Sequence, residues 1–380
     1  MAVEFFEGIW RIPEKITYNA YLVLEDDTRI LLDGWKRSYS EAFLEAIKNI
    51  IDPRDLTHVI VHHMEPDHSG SLPRVLEANE FRAEVIAHPM TARMIKSFYG
   101  LEVKFRAVKD GEELRLGEAF KFIHVPWLHW PETIVTFLMD RGILFSGDAF
   151  GGYSIPESIF DDSDELISRY LPAVRKYVAT IIGYYRSHIV RSIEKLAKLG
   201  ISPRLIAPAH GLIWRNKPDL IIRYYEELAE GRAEDDKILI ISGSMYGSTE
   251  KAANTAFEEA RRLDLKPVLY SLNELEHASP PEIIGDAINS RAIVIASPTY
   301  EMGIYPPIEY IIRLISRKIP PKPVLIISSY GWAGVAARRI SEILSDAGFK
   351  IIKIIDFQGS AGDAELEEIR RGVRALFEGR

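Results

Sequence analysis

The chain has 380 residues, 47% hydrophobic and 27% charged, with no cysteine and a formal net charge of −8. That length favours two domains, and the acidic balance argues against nucleic acid or an anionic membrane as a partner. Without cysteine there can be no disulfides, thiolate zinc sites or Cys-ligated iron centres. The opening "MAVEFFEGIW" lacks a basic n-region and a long apolar segment, and no 18-residue apolar run follows, so a cytoplasmic location is expected.

In chain order, "NAYLVLE" and "RILLD" read as neighbouring strands, and "SEAFLEAIKNII" as a helix entered at a cap on Ser40. "THVIVHH" is a strand and the "PDHSG" after it a turn. "EVIAH", "FKFIHV", "TIVTFLMD" and "GILFSGDA" follow as strands, "SIEKLAKLG" as a helix closed by Gly200, and "RLIAPAH" as a strand ending on a histidine. "EGRAEDD" is polar and charged and reads as a linker, which sets the domains at 1–236 and 237–380. Beyond it the pattern turns regular: "KILIIS", "KPVLYSL", "RAIVIASP" and "KPVLIISS" are apolar strands with helical segments between them. Strands apolar on both faces, alternating with helices, predict a doubly wound parallel sheet.

Acids and histidines recur at the ends of the first domain's strands. His63-x-Glu65-x-Asp67-His68 follows one strand, His129 sits in "WLHWPET", Asp148 ends "GILFSGDA" and His210 ends "RLIAPAH". Seven nitrogen and oxygen donors, one carboxylate bridging, suffice for two metals with open positions, and this donor set suits zinc, iron or manganese.

Three loops, each after a buried strand, carry the candidate cofactor contacts. Ser244-Met245-Tyr246-Gly247-Ser248-Thr249 lies between a strand and a helix, where backbone N–H groups and a helix amino terminus can receive a phosphate. It fits neither the dinucleotide G-x-G-x-x-G pattern nor a P-loop. Pro298-Thr299-Tyr300 with Gly303, and Ser329-Tyr330-Gly331-Trp332-Ala333-Gly334, fall at the same carboxyl edge of the sheet. They offer aromatic surfaces, and glycines for close approach to a flat ring.

The H-x-E-x-D-H run with its later donors resembles the metallo-β-lactamase fold, and the whole chain resembles a flavodiiron protein. "HHMEPDHSG", "LHWPET", "FSGDAFG" and "APAHGLIW" occur in the family's order, and the three later loops resemble a flavodoxin's. The resemblance implies an α/β protein: an N-terminal metallo-β-lactamase-like αββα sandwich with a diiron site, then a flavodoxin-like doubly wound parallel sheet with FMN. It implies that His63, Glu65 and His129 hold one iron, that Asp67, His68 and His210 hold the other, and that Asp148 bridges them. It further implies reduction of O2 to water, of NO to N2O, or both. Electrons would come through FMN from an external donor, a rubredoxin-like protein or a reduced deazaflavin coenzyme. The implied assembly is a head-to-tail homodimer or a dimer of dimers.

Zinc hydrolases of this fold generally carry histidine at the position of Glu65. A third carboxylate is a harder, anionic donor that stabilises Fe(III) and favours redox cycling. The alternative is a binuclear zinc hydrolase of thioester or lactam type with an accessory flavodoxin module; Glu65 and the flavin loops count against it. Two sites depart from the family pattern. His62 stands where many relatives are expected to have asparagine, and its role is open; Glu301-Met302 replaces asparagine-like residues, placing a carboxylate where it disfavours an anionic hydroquinone. His58, His88, His124, His188 and His277 match no ligand position and read as packing or surface residues.

Overall fold

The computed structural model describes residues 2–8, 16–25, 27–273 and 278–378; His277 lies outside them. The chain divides into two compact units, one of Met1–Tyr177 with Ser187–Glu226, the other of Val178–Arg186 with Glu227–Arg380.

The first unit holds two sheets. β1 (Ala2–Gly8), β2 (Tyr18–Leu24), β3 (Arg29–Leu32), β4 (His58–Val61), β5 (Glu84–Ala87) and β6 (Phe105–Ala107) pair in chain order, antiparallel to β3 and parallel beyond it. β7 (Glu113–Leu116), β8 (Glu118–His124), β9 (Ile134–Leu138) and β10 (Ile143–Gly147) form an antiparallel meander, and β11 (Leu205–Pro208) joins β10 in parallel. Strand residues alternate between faces. Tyr21, Ile30, Ile60 and Ile86 of the first sheet therefore meet Phe120, Phe122, Ile134 and Phe145 of the second in a common core. The opposite face of the first sheet, through Leu22, Leu31, Val59 and Val85, packs on Phe43, Ile47, Val75, Leu76 and Ile95. Those residues come from the helices Ser40–Lys48, Leu72–Ala78 and Thr91–Tyr99. Each fully buried aliphatic or aromatic side chain contributes about 1.5–3 kcal/mol of transfer free energy. Burial on both faces is why Val59-Ile60-Val61 is an unbroken apolar run.

In the second unit β12 (Glu234–Gly243), β13 (Lys266–Leu272), β14 (Ser290–Tyr300), β16 (Pro323–Tyr330) and β17 (Lys350–Gln358) are parallel, in the order β13-β12-β14-β16-β17. β15 (Gly303–Ile304) folds back antiparallel on the end of β14. This is the 2-1-3-4-5 order of flavodoxin-like folds, which reverses direction beside the first strand and binds ligands at the carboxyl edge there. Ala252, Ala256, Ile369 and Val373, from the helices Ser248–Arg262 and Asp363–Ala375, cover one face through Ile240, Val294 and Leu325. The expected two-sheet sandwich followed by a doubly wound parallel sheet is the observed architecture.

Three local expectations differ. Ser40 is no cap: a 3₁₀ turn, Arg37–Tyr39, runs straight into the helix, and the Ser40 hydroxyl donates back to Arg37 O at 2.8 Å. "PDHSG" is a single helical turn, Pro66–Ser69, with proline first, where no N–H is required. Residues 234–236 belong to β12, not to a free linker. Their acids are matched on the flanking strands, Asp235 by Arg291 and Asp236 by Lys266, both at 3.0 Å.

Candidate metal centre and cofactor cleft

Strand ends deliver the metal-centre residues. β4 ends just before His62 and His63, and the helical turn that follows carries Asp67 and His68, with Glu65 immediately ahead of it. His129 lies in the loop between β8 and β9. Asp148 and His210 follow β10 and β11, which are parallel neighbours with Gly147 opposite Pro208, so both leave the same sheet edge. Gly211 next to His210 has φ +76°, and a Cβ there would lie 1.6 Å from Tyr170 Oη, so only glycine fits.

All seven candidates converge, with Asp148 in the middle. Its Oδ2 lies 3.1 Å from His63 Nε2 and 3.0 Å from His129 Nε2, and Glu65 Oε2 sits 2.7 Å from His129 Nε2 and 3.6 Å from His63 Nε2. Its Oδ1 lies 3.0 Å from His68 Nε2 and 3.3 Å from His210 Nε2, with Asp67 oxygens 3.5 Å from each of those nitrogens. Two His/His/carboxylate trios thus share one carboxylate, one oxygen each. His63, His68, Asp148 and His210 are buried, while Glu65 and Asp67 are half-buried.

The electrostatics follow from this crowding. Burial works against charge on His129, but Asp148 and Glu65 overcome it and push its pKa up to about 9. His210 rises to about 10 by the same contest, with Asp148 and Asp67 beside it. Glu65, raised by burial but hydrogen-bonded by His129 and His63, falls to about 2. Asp148 is held well below the carboxylate range despite full burial, chiefly by His63 and His68. A pocket that draws protons this strongly onto imidazole nitrogens is one that would hold cations. Among the described residues, Nε2 of His63 and Oδ1 of Asp67 are buried within this cluster without a hydrogen-bond partner, and such atoms call for another ligand. The residues fit a two-metal centre.

His62 faces the other way. Its Nδ1 lies 2.6 Å from Asp33 Oδ2, its Nε2 lies 3.0 Å from Thr136 Oγ1, and its backbone N–H donates to Asp33 Oδ1 at 2.9 Å. It ties the first sheet to β9 and takes no part in the metal centre. Sequence reading missed Tyr177 and Glu132. The Tyr177 ring stands 5.9 Å from that of His210; burial first, then the Asp148 charge, holds its phenol pKa well above the usual value. Glu132 is wholly buried. Neither carries a sequence signal: Tyr177 is one apolar-face residue of the amphipathic helix Asp164–Tyr177, and Glu132 is one acid in a loop.

At the carboxyl edge of the second sheet lies a cleft of about 390 Å³, within the range of small-molecule sites. Every predicted flavin contact lines it except Gly247, Gly303, Ala333 and Gly334; Glu301 and Gly359 join it. Gly247, at φ +86°, instead shapes the loop, donating its N–H to Ser244 Oγ at 2.9 Å ahead of the helix Ser248–Arg262. Gly334 is needed for packing, since a Cβ there would lie 2.3 Å from Asp356 Oδ2. Tyr246 and Trp332 are 92% and 85% exposed, so neither is a core aromatic. A helix amino terminus for phosphate and uncovered rings beside a cleft fit a flavin mononucleotide.

Residues 16–211 match the family described as ODP family beta lactamase, and residues 240–372 match flavodoxin. A nitric oxide reductase of Moorella thermoacetica is 30% identical over 92% of this chain and 87% of its own. The rubredoxin-oxygen oxidoreductase of Megalodesulfovibrio gigas is 31% identical over 90% of this chain and 85% of its own. A flavo di-iron protein mutant of Thermotoga maritima superposes with a TM-score of 0.90 at 38% identity, over 97% of this chain and 91% of its own.

Proposed function

The chain belongs to the flavodiiron proteins, and from that premise we propose that it reduces O2 to water, NO to N2O, or both. Electrons pass from an external donor through FMN to a diiron centre. The observation that carries this reading is the division of Asp148, one oxygen toward His63 and His129, the other toward His68 and His210.

His63, Glu65 and His129 would hold one iron, Asp67, His68 and His210 the other, with Asp148 between them. The loop Ser244–Thr249 would hold the FMN phosphate, and Tyr246, Tyr300, Tyr330 and Trp332 would flank its ring. Bound there, reduced FMN and two ferrous ions supply the electrons for gas reduction. The chain's own groups orient and protonate. Thr17 O accepts from His210 Nδ1 at 2.6 Å, which keeps that nitrogen protonated and leaves Nε2, on the Asp148 side, as the atom a metal ion would bind in place of its proton. Tyr177 keeps its proton at neutral pH and offers an O–H donor beside the centre. Tyr18 and Trp130 wall the site, their rings 5.6 Å from that of His210 and 6.1 Å from that of His63.

The proposal includes a separate donor, a rubredoxin-like protein or a reduced deazaflavin coenzyme, because the 380 residues hold no cysteine for an internal iron relay. It also includes a head-to-tail homodimer, or a dimer of dimers, working in the cytoplasm. Among the described residues no helix is long and apolar enough to cross a membrane. The test is anaerobic chemical reduction followed by a pulse of each gas, with assay of gas consumed and of water or N2O formed. Consumption of neither gas, or stoichiometric zinc after expression with ample iron, would overturn the proposal.

A further inference from the structure

Glu132 is a wholly buried carboxylate in the loop that carries His129. Burying a charge is costly, so its contacts should explain its place. The turn around it is closed without it: Trp130 N–H donates to Thr133 Oγ1 at 3.1 Å, and that hydroxyl donates to Trp130 O at 2.8 Å. Glu132 reaches across to the other ligand-bearing segment, where its Oε1 accepts the Met64 N–H at 3.0 Å. Met64 sits between His63 and Glu65. Its carbonyl is held separately by the Ser69 hydroxyl, at 2.9 Å, from the turn that carries Asp67 and His68. Glu132 Oε2 has no hydrogen-bond partner among the described residues.

We infer that Glu132 is the positioning residue of one half of the metal centre, clamping the His63–Glu65 segment to the His129 loop so that these three side chains converge. The inference rests on the diiron reading above. The clamp bears directly on the His63/Glu65/His129 trio: the turn carrying Asp67 and His68 has anchors of its own, Gly70 N–H to Pro66 O at 3.0 Å and Ser69 Oγ to Tyr99 Oη at 2.6 Å, and His210 comes from a different strand end. Loss of Glu132 therefore acts on one metal position and spares the other, which a general loss of fold would not do.

The test is titration of metal-free, FMN-loaded protein with Co(II), followed by its visible absorption, with iron per chain after dialysis against a chelator as a second readout. Glu132→Leu, similar in volume but without an acceptor, is expected to weaken one position by about 10–100-fold, the range for outer-shell partners of metal ligands, with the other unchanged. Glu132→Gln keeps an acceptor oxygen and is expected to titrate like the parent. If the leucine variant does not fold, Glu132→Asp withdraws the carboxylate by one methylene and is expected to show the same one-sided weakening. Equal weakening at both positions, no weakening at either, or a glutamine variant as weak as the leucine one would overturn the inference. A parent chain that binds fewer than two metals would instead remove the diiron reading on which it stands.

Discussion

His62 Nδ1 lies 2.6 Å from Asp33 Oδ2, both groups buried between the sheets, although His62 is the immediate neighbour of a metal-centre histidine. Successive residues leaving a strand point to opposite sides. His63 therefore turns to Asp148 while His62 turns into the sandwich and joins Asp33, Thr136 and, through its carbonyl, Ile134.

His62→Phe removes the ring partner of the buried Asp33 carboxylate, leaving it the backbone N–H of residue 62, and is expected to cost about 3–5 kcal/mol. Denaturant unfolding checks this, with iron per chain retained in the folded variant. The pH dependence should reverse sign. In the parent, burial would raise the Asp33 pKa, but His62 outweighs it and holds it below 3.8, so its contribution is present above that pH and lost as pH falls through the lower folded value. In the variant the ring is gone and burial, the largest influence, is expected to outweigh the remaining backbone N–H of residue 62 and the charge of His68; the folded state then binds the proton more tightly than the unfolded one, and stability rises as pH falls through the raised pKa toward 3.8.

Asp148→Asn should strip both metal positions at once. The amide keeps the size but loses the charge shared by four imidazoles. Metal affinity is expected to fall by more than about 100-fold at both positions, beyond what an outer-shell change costs. Iron analysis against the flavin absorbance checks it, because FMN should stay bound. Loss of a single iron would show that Asp148 serves one trio only.

The legible parts of the sequence were those where order along the chain is itself the constraint. His63, Glu65, Asp67 and His68 lie within one strand end and one helical turn, so their spacing reports their geometry, and His129, Asp148 and His210 each end or follow a strand. Parallel-sheet strands announced themselves by burial on both faces. Tyr177 and Glu132 were not legible because their roles depend on partners far away in sequence, Asp148 and Met64, and nothing local separates them from an amphipathic helix or an ordinary loop. The start of β12 was hidden by its acids, whose countercharges lie on β13 and β14.

Trp332→Ala tests the flavin cleft. The loop does not depend on the indole: Gln358 Nε2 donates to Gly331 O at 2.7 Å and Gly359 N–H to Tyr330 O at 2.9 Å. The loss should therefore be of ring contact alone, about 10–100-fold in FMN affinity from lost stacking and apolar cover. Titration of flavin-free protein by flavin fluorescence measures it, and iron per chain should not change. Unaltered affinity would mean that the indole does not cover the ring.

Lys322 gives a pH signature at the far end of the same sheet. It immediately precedes β16, while Lys237 lies in the amino-terminal half of β12, and both are buried. Lys237 has partners, Asp286 Oδ1 and Asn289 Oδ1, each at 2.8 Å. Lys322 has no carboxylate partner among the described residues; burial, then the charge of Lys237, lowers its pKa to about 8 from 10.5. Below pH 8 the amine is charged in both states, and burying the charge costs the folded state about 2–4 kcal/mol at 1.36 kcal/mol per pKa unit. Between pH 8 and 10.5 the folded state has released the proton while the unfolded state still holds it, so stability rises with pH; above 10.5 the penalty is gone. Lys322→Met, which keeps the apolar stem and removes the charge, should therefore be more stable than the parent at pH 7 by about that amount. The advantage should shrink across pH 8 to 10.5. Denaturant midpoints of the two proteins at pH 7, 9 and 11 measure the difference and cancel other titrations; a difference independent of pH would mean that Lys322 is not charged at a cost in the folded protein.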